Sequence, residues 1–384
     1  MRTKINVKYI MFIISFLILL TSSCNNIQNK FYSNDDFVFT KHSEAIETNG
    51  SIFYRELINL DDLRPDTLIE KVKFQNDENS LYNHYIAHND CIYLLKTVKN
   101  DGNYIMQYNL ENKTEKPIYK IERPENYQFS LYTADNRYII WKEDEDANWF
   151  KPSLNLYDTV SKVNKKIYTY NLNPETNLSY GWNFNDIIIY DDIIYFDDVV
   201  GYEDNRYITN LYSYNIKTEK IAIVHENAQF PFLYKGVSYY TYDKINEQYY
   251  LNNIDKSIPK ISLGKNVNFD SASKNIFASV VQIFDGETNA NKHKAYGIKY
   301  FDGEQYIPII SEVNLSDVSC NDDYIGWTSY QVNKPFFYDI NNQKIVCVND
   351  LDNDIYAVTI TDKYILICNI EPTTSSFIFH TIKT

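Results

Sequence analysis

The sequence predicts an all-β fold, a β-propeller built from four-stranded antiparallel blades. Three observations predict it. The chain holds 36 tyrosines but only ten glycines and ten prolines, and its β-branched and aromatic residues crowd short runs, as expected for half-buried strands. After the first 23 residues, no segment carries a long apolar pattern at helical spacing. One short turn-strand motif also recurs along the whole chain.

The first 23 residues have the three parts of a bacterial export signal. Arg2, Lys4 and Lys8 form a basic start, residues 9–20 are apolar, and residues 21–23 are small. Such a segment is removed and takes no part in the fold. Its apolar run is shorter than the roughly 20 residues that a membrane-spanning helix needs. A permanent transmembrane anchor is therefore not expected.

Cys24 directly follows these small residues. The run LTSSC at residues 20–24 resembles the bacterial lipoprotein signal, although Thr21 stands where that family prefers an aliphatic residue. The resemblance implies that Cys24 is lipidated, with a palmitate-type acyl chain, and becomes the mature N-terminus. Residues 24–34 would then form a polar tether, and residues 35–384 a single domain in the bacterial cell envelope, outside the cytoplasm. The alternative is plain secretion with an incidental cysteine.

The charge of the chain limits its partners. The formal charge is −14, and removal of the signal makes it more negative. A surface this acidic repels nucleic-acid phosphates and anionic lipid headgroups. We therefore expect no nucleic-acid partner, and membrane contact only through the lipid.

The later cysteines predict neither a metal site nor a redox pair, because both need closely spaced ligands. Three of them lie in apolar strand-like runs, which favours buried hydrophobes over disulfides. No cofactor is expected. The four cysteines are Cys91, Cys320, Cys347 and Cys368.

The recurring motif is a turn rich in Asp, Asn, Gly or Lys that leads into an apolar and aromatic strand. Its seven copies are roughly 40 to 55 residues apart, the length of one four-stranded blade. They start at His88, Ala134, Tyr190, Tyr234, Ser273, Asn321 and Thr361. A second motif, a polar turn between an aromatic strand end and a returning strand, predicts the hairpin of the two outer strands. It starts at Tyr108, Tyr157, Tyr214 and Tyr338.

Three of the turn-strand units resemble a known repeat. ADNRYIIW from Ala134, NDDYIGW from Asn321 and TDKYILIC from Thr361 resemble the TolB-type and WD40-like propeller repeat, in which an Asp-containing turn leads into an apolar second strand. The resemblance covers most of residues 81–384. It implies the fold alone, because propellers of that kind include binding, scaffolding and enzyme-accessory proteins.

The number of blades depends on how the ring closes. The last unit, residues 355–384, has room for three strands, so an N-terminal strand within residues 66–74 is expected to complete it and leave no open sheet edge. This gives seven blades, with residues 37–60 elaborating the closing blade. Eight stay possible, because SNDDFVFT from Ser33 resembles a further copy.

Long loops between second and third strands predict the ligand face. Propeller geometry places these loops on one face, and they are long after Glu143, Asp197 and Phe284. Binding sites tend to lie on such loops. Two of them combine acids with aromatic rings, which can stack on a sugar or peptide while the acids bond to its polar groups. The candidate ligand residues are Asp144, Asp146, Trp149, Phe150, Tyr202, Glu203 and Asp204.

Three functions fit these observations. The leading one is binding of an envelope protein or a glycan without catalysis, because the chain has no nucleophile motif and no phosphate-binding glycine loop. The alternative is a carbohydrate-active enzyme of glycosidase or lyase type. A glycosidase needs two carboxyl groups roughly 5 to 9.5 Å apart near the central channel, at least one with a raised pKa. The third is an architectural envelope component.

Overall fold

The computed structural model describes most of the chain beyond residue 45, and all structural statements concern these residues. The described ranges are 46–48, 51–53, 55–60, 69–122, 127–144, 151–180, 186–203, 206–246, 248–264, 267–284, 293–312, 314–316, 318–349, 351, 355–371 and 373–384. They contain 31 strands, arranged in seven sheets.

Four short strands precede the repeated part of the chain: β1 (Ile46–Thr48), β2 (Ser51–Phe53), β3 (Glu56–Asn59) and β4 (Glu70–Phe74). The next 27 strands follow the ring, and each blade is numbered from its innermost strand outwards. Blade 1 is β5 (Ser80–His88), β6 (Cys91–Val98), β7 (Gly102–Asn109) and β8 (Thr114–Ile121). Blade 2 is β9 (Gln128–Ala134), β10 (Tyr138–Asp144), β11 (Pro152–Asp158) and β12 (Val163–Thr169). Blade 3 is β13 (Ile188–Tyr190), β14 (Ile193–Glu203), β15 (Arg206–Asn215) and β16 (Lys220–His225).

The remaining four blades repeat this order. Blade 4 is β17 (Ala228–Leu233), β18 (Val237–Asp243), β19 (Gln248–Asn253) and β20 (Ile261–Gly264). Blade 5 is β21 (Val267–Ala272), β22 (Phe277–Phe284), β23 (His293–Phe301) and β24 (Tyr306–Glu312). Blade 6 is β25 (Ser319–Cys320), β26 (Tyr324–Ser329), β27 (Lys334–Asp339) and β28 (Lys344–Cys347). Blade 7 has β29 (Ile355–Ile360), β30 (Tyr364–Ile370) and β31 (Phe377–Lys383), with β4 as its fourth strand.

The predicted repeat is confirmed. Every turn-strand motif leads into the second strand of a blade, and the second motif forms the outer hairpins. In the hairpin between β7 and β8, the Asn109 side chain accepts hydrogen bonds from the N–H groups of Glu111 and Asn112, and Lys113 has a φ of 56°. Asn suits this turn because its short side chain bonds to nearby backbone. The sequence therefore encodes each hairpin locally.

The predicted ring closure is also confirmed. Strand β4 pairs antiparallel with β31, with Phe74 opposite Phe377 and Glu70 opposite Thr381. The ring has seven blades, and the segment from Ser33 that resembles an eighth copy lies outside the described residues.

The expectation that residues 37–60 elaborate the closing blade is wrong for the part that is described. Strand β2 pairs with β24 of blade 5, and β3 pairs in parallel with β28 of blade 6. The chain follows the rim of the two preceding blades before it reaches blade 7. Outer strands offer a free row of backbone N–H and C=O groups, which an extended segment can pair with in either direction.

The core consists of seams between neighbouring blades. In the seam of blades 2 and 3, Ile140 and Leu154 pack against Ile194 and Phe196. Trp141 and Trp327 are wholly buried in two other seams. The four cysteines named above are buried and form no disulfide, which confirms the prediction made from the strand-like runs of Cys91, Cys347 and Cys368. Each blade thus buries its faces only against its neighbours.

Candidate ligand-binding face

The two ends of the propeller differ in how the strands are joined. The turns between first and second strands and between third and fourth strands lie at one end, here called the short-turn face. The hairpin ends between second and third strands and the connections between blades lie at the other end, here called the long-loop face.

The short-turn face is tied together by hydrogen bonds from blade to blade. The Lys235 N–H donates to the Lys274 carbonyl (2.8 Å), and the Asn275 N–H donates to the Asp322 carboxylate (2.9 Å). The chain of bonds continues through blades 6, 7 and 1. Asn321 Nδ2 donates to the Thr361 carbonyl (2.9 Å), and Thr361 Oγ1 donates to the Asn89 carbonyl (2.8 Å). We call these turns the short-turn belt.

A cavity of about 620 Å³ opens at the centre of this face, and the turns of the belt line it. Several of its polar groups are already committed to the belt. Asn321 also accepts from the N–H groups of Asp323 and Tyr324, and Asn275 donates its side-chain N–H to Asp322. These side chains hold the blades in register.

The long-loop face carries a larger recess, of about 950 Å³, at the first blade. Three segments form it: the connection from β4 to β5, the hairpin end between β6 and β7, and the start of β9. The N–H of Lys99 donates to the Asn79 carbonyl (2.8 Å), which joins the first two segments. On the third segment, the half-buried rings of Tyr127 and Phe129 stack with centroids 6.5 Å apart and planes 25° apart. We call this the blade 1 recess.

The recess combines its aromatic wall with fixed polar groups. Asp77 accepts hydrogen bonds from the N–H groups of Asn79 and Ser80 (2.8 and 2.7 Å), and these backbone bonds lower its pKa. Asp101 bonds to Lys120 and to the Tyr104 hydroxyl, each at 2.6 Å, and its pKa is lowered too. Side-chain amides complete the polar lining: Asn79, Asn83, Asn100, Asn103 and Gln128. The recess thus offers a flat apolar surface beside ionised carboxylates and amides.

A second aromatic group lies on the same face, at blades 3 and 4. Strands β14 and β15 form a long hairpin whose tip carries Tyr202 and Tyr207, 53% and 45% exposed, with ring centroids 5.2 Å apart. Arg206 lies 3.8 Å above the Tyr242 ring of blade 4. The Glu203 carboxylate lies 3.9 Å from the Lys244 ammonium group. The long loop expected after Asp197 is therefore mostly paired strand, which places these side chains on the long-loop face.

The structure describes three of the seven predicted ligand residues. Tyr202 and Glu203 are exposed on the hairpin tip. Asp144 is fully buried at the end of β10, where its carboxylate accepts from the Lys151 N–H at 3.1 Å. The others lie outside the described residues: Asp146, Trp149, Phe150 and Asp204. A ligand role for these residues stays a prediction.

Sequence reasoning missed the blade 1 recess and a buried polar cluster between blades 2 and 3. In that cluster the fully buried Asp198 carboxylate accepts from the Tyr168 hydroxyl (2.9 Å) and from Asn171 N–H and Nδ2 (2.7 Å each). Burial raises the pKa of Asp198 to about 6 and lowers the pKa of Lys142 to about 8. In the sequence, the polar pair Asp197-Asp198 directly follows an apolar strand. This pair could have indicated the buried cluster, but it was interpreted as the start of a loop.

Comparison with known proteins identifies the architecture. No protein-family model matches the sequence, and no curated protein matches it. The oligogalacturonate lyase of Vibrio parahaemolyticus superposes with a TM-score of 0.52 at 11% identity, over 82% of this chain and 98% of that one. The propeller domain of the Trilobed protease from Pyrococcus furiosus, described as having an open velcro topology, gives 0.55 at 11% identity, over 80% and 94%.

An oligogalacturonate lyase in complex with manganese gives a TM-score of 0.53 at 10% identity, over 83% of this chain and 97% of that one. Identities this low show a shared fold alone. The chain is thus a seven-bladed β-propeller whose structural neighbours include oligogalacturonate lyases and prolyl endopeptidases.

The described residues lack two features. They hold no group of three or more His, Cys, Asp or Glu side chains placed to bind a metal ion. They also hold no helix long and apolar enough to span a membrane.

Proposed function

We propose that this chain is a lipid-anchored propeller of the bacterial cell envelope that binds a glycan through its long-loop face, without catalysis. The observation that carries the proposal is the stacked Tyr127–Phe129 wall in a recess of about 950 Å³. Sugar rings present flat C–H faces with hydroxyl edges, so they suit an aromatic wall bordered by amides and carboxylates.

The architecture supports the choice of face. Polar groups of the short-turn face bond from blade to blade through blades 5, 6, 7 and 1, whereas Glu78 and Asn100 at the recess are exposed. The exposed Tyr202 and Tyr207 extend the same face towards blade 3. A long glycan, or a protein bearing one, could contact both places.

Catalysis has less support. The carbohydrate-active alternative needs a carboxyl group with a raised pKa that a substrate can reach, and two of the structural neighbours are lyases. Asp198 has the raised pKa, but it is fully buried and bonded to Tyr168 and Asn171. We therefore propose binding rather than turnover.

The test of glycan binding is a glycan array followed by titration of the best ligand. Tyr127→Ala should weaken binding about fivefold, because stacking on an aromatic ring contributes roughly 1 kcal/mol. Tyr190→Ala is the matched control, since it removes a 40%-exposed tyrosine that lines the opposite cavity. Equal losses in both variants, or no glycan bound by the wild type, would contradict the proposal. Release of shortened glycan products by the wild type would favour the enzyme instead.

The proposed anchor has its own test. Replacing Cys24 by Ala in the full-length chain removes the only residue that the lipoprotein signal would acylate. The variant should move from the membrane fraction to the soluble extracytoplasmic fraction, and incorporation of labelled palmitate should be lost. Unchanged membrane association would contradict lipid anchoring while leaving the glycan proposal intact.

A further inference from the structure

The rim of this propeller already accepts added strands at two places. Strand β2 joins the outer edge of blade 5, and β3 joins that of blade 6. Phe53 of β2 is 3% exposed and lies 5.7 Å from Phe336, ring to ring, in the seam of those blades. An outer edge beside an open seam is therefore a site where this protein binds an extended apolar segment.

Blade 3 presents the same combination without a covering strand. Its outer strand β16 is the last in its sheet among the described residues. Ile221 and Ile223 of β16 are 45% and 53% exposed. They lie opposite Tyr214 and Tyr212, whose side chains belong to the seam of blades 2 and 3. Directly paired residues point to the same side of a sheet, so both isoleucines face that seam.

The other side of this seam adds a third apolar side chain. Val163 on β12 is 44% exposed and lies opposite Asp158, which shares its side of β11 with the seam residues Leu154 and Leu156. Lys165 of blade 2 forms an ion pair with Glu219 of blade 3 across the seam. The rim of the seam is thus an apolar groove next to an open strand edge.

The uncovered edges of blades 1, 2 and 4 differ from β16. Strand β8 contains Pro117, which cannot donate a backbone hydrogen bond, and β20 spans only four residues. Strand β12 carries Lys165 and Lys166 at its centre. Prolines, short strands and lysines disfavour added strands without excluding them, because β24 contains Pro308 and β28 spans four residues, yet each pairs with an added strand. The apolar run from Ile221 to Val224 in β16 lacks these protections.

The charge around this edge indicates the chemistry of the occupant. Lys162 directly precedes Val163, and Lys217 and Lys220 lie at the start of β16, in a chain whose net charge is −14. Lys217 pairs with Asp192, whereas Lys162 and Lys220 form no ion pair with a described residue. An occupant with acidic residues beside its apolar ones would complement this local charge.

We propose that the outer edge of blade 3 binds an extended acidic segment of a partner protein, which adds to β16 as a fifth strand. Its backbone pairs with the free edge of β16, its apolar side chains cover Ile221, Ile223 and Val163, and its carboxylates contact the surrounding lysines. Strand addition of this kind draws its affinity from main-chain hydrogen bonds and its specificity from alternate side chains.

The test uses three fluorescent peptides and the mature protein. The first, DEVTVTVDE, has acidic ends around an alternating apolar strand. The second, KKVTVTVKK, reverses the charge, and the third, DEVTPTVDE, places a proline where the ladder would form. The acidic peptide should bind at up to about millimolar concentration, at least about tenfold more tightly than the other two. It should also slow amide exchange in β16. Equal binding by the charge-reversed peptide, or no binding by the acidic one, would overturn the proposal.

Variants locate the site. Lys220→Glu and Ile223→Thr on β16 should each weaken the acidic peptide severalfold with an unchanged unfolding midpoint. Lys116→Glu on β8 makes the same charge change beside Pro117 and should leave binding unchanged. An equal loss in Lys116→Glu would show a general charge effect and overturn the proposal. So would a wild-type chain that sediments as a dimer through β16, because a second copy would then be the occupant.

Discussion

The short-turn belt and the blade 1 recess differ in the partners to which their polar groups bond. On the short-turn face, turns of a few residues bond to the turns of the next blade, as Asn321 does to Thr361 and Thr361 does to Asn89. At the blade 1 recess of the long-loop face, polar groups bond mainly within blade 1, as Asp77 does to its own turn. The difference teaches that the belt turns fix neighbouring blades to one another, whereas the recess takes little part in this and can carry a binding surface.

The largest expected effect is on the short-turn belt. Asn321→Ala would leave the Thr361 carbonyl and the N–H groups of Asp323 and Tyr324 without their partner. Each buried unpaired group costs about 1 kcal/mol or more, so we expect a loss of about 3 kcal/mol in the free energy of unfolding, measured in urea. Glu78→Ala on the exposed long-loop face should change it by less than about 0.5 kcal/mol. Similar values for both variants would break the comparison.

The buried cluster between blades 2 and 3 predicts an unusual dependence of stability on pH. Burial raises the folded pKa of Asp198 to about 6, above its unfolded value near 4. Protonated Asp198 therefore contributes roughly 2 to 3 kcal/mol to the free energy of unfolding. This contribution is complete below about pH 4 and is lost as the pH rises through about 6. For Lys142 the folded pKa is lowered to about 8, so stability is regained from about pH 8 towards 10.5.

The free energy of unfolding of the wild type should thus fall relative to that of Asp198→Asn between pH 4 and about pH 6. Asp198→Asn keeps the hydrogen-bonding shape but does not ionise, so the variant should be more stable than the wild type at pH 7 and should retain the rise in stability that Lys142 causes at alkaline pH. A difference between the two proteins that is flat between pH 4 and pH 6 would contradict the buried position of Asp198.

Close packing near the short-turn face predicts a moderate effect at Gly326. A Cβ added there would lie 2.6 Å from Val358 Cγ1 and 2.9 Å from Ile360 Cδ1. Gly326→Ala must therefore displace blade 7 side chains and should cost about 2 kcal/mol in the free energy of unfolding. Gly201→Ala, where the nearest atom is 3.6 Å away on the long-loop hairpin, is the matched substitution and should cost less. The reverse order would show that the seam near Gly326 is loosely packed.

The smallest effect is expected at the hairpin tip. Tyr202→Ala removes an exposed ring whose described aromatic contact is Tyr207, 5.2 Å away. We expect a change below about 0.5 kcal/mol in the free energy of unfolding, because surface substitutions away from buried contacts are nearly neutral. A loss above about 2 kcal/mol would mean that the long-loop face also holds the ring together.

The sequence predicted the features that are encoded locally. Turn chemistry such as Asn109 in the hairpin between β7 and β8 recurs in each unit, so the repeat was visible in the sequence. Ring closure followed from simple counting, because three C-terminal strands need a fourth, and β4 supplies it. The same reasoning misplaced residues 37–60, since several outer edges can accept a strand and local sequence does not specify which one.

From the sequence, the face that carries the candidate site could be predicted, but the residues that form the site could not. The aromatic wall at Tyr127 and Phe129 and the carboxylate of Asp77 are some fifty residues apart in the chain, and the packing of blade 2 against blade 1 brings them together. In the sequence, Asp144 and Tyr202 both lie among acidic and aromatic residues, yet Asp144 is buried and Tyr202 is exposed. Burial depends on the register of the hairpin, which the sequence pattern leaves open.

Native-state hydrogen exchange of the full chain tests the central claim most directly. Belt amides such as those of Asn275, Tyr324 and Tyr364 should exchange only through global unfolding, with a free energy of opening equal to that of the whole domain. Amides at the tip of the blade 3 hairpin, such as that of Tyr207, should open locally at much lower free energy. Equal protection of the belt amides and of this hairpin tip would contradict the claim that the belt fixes the blades.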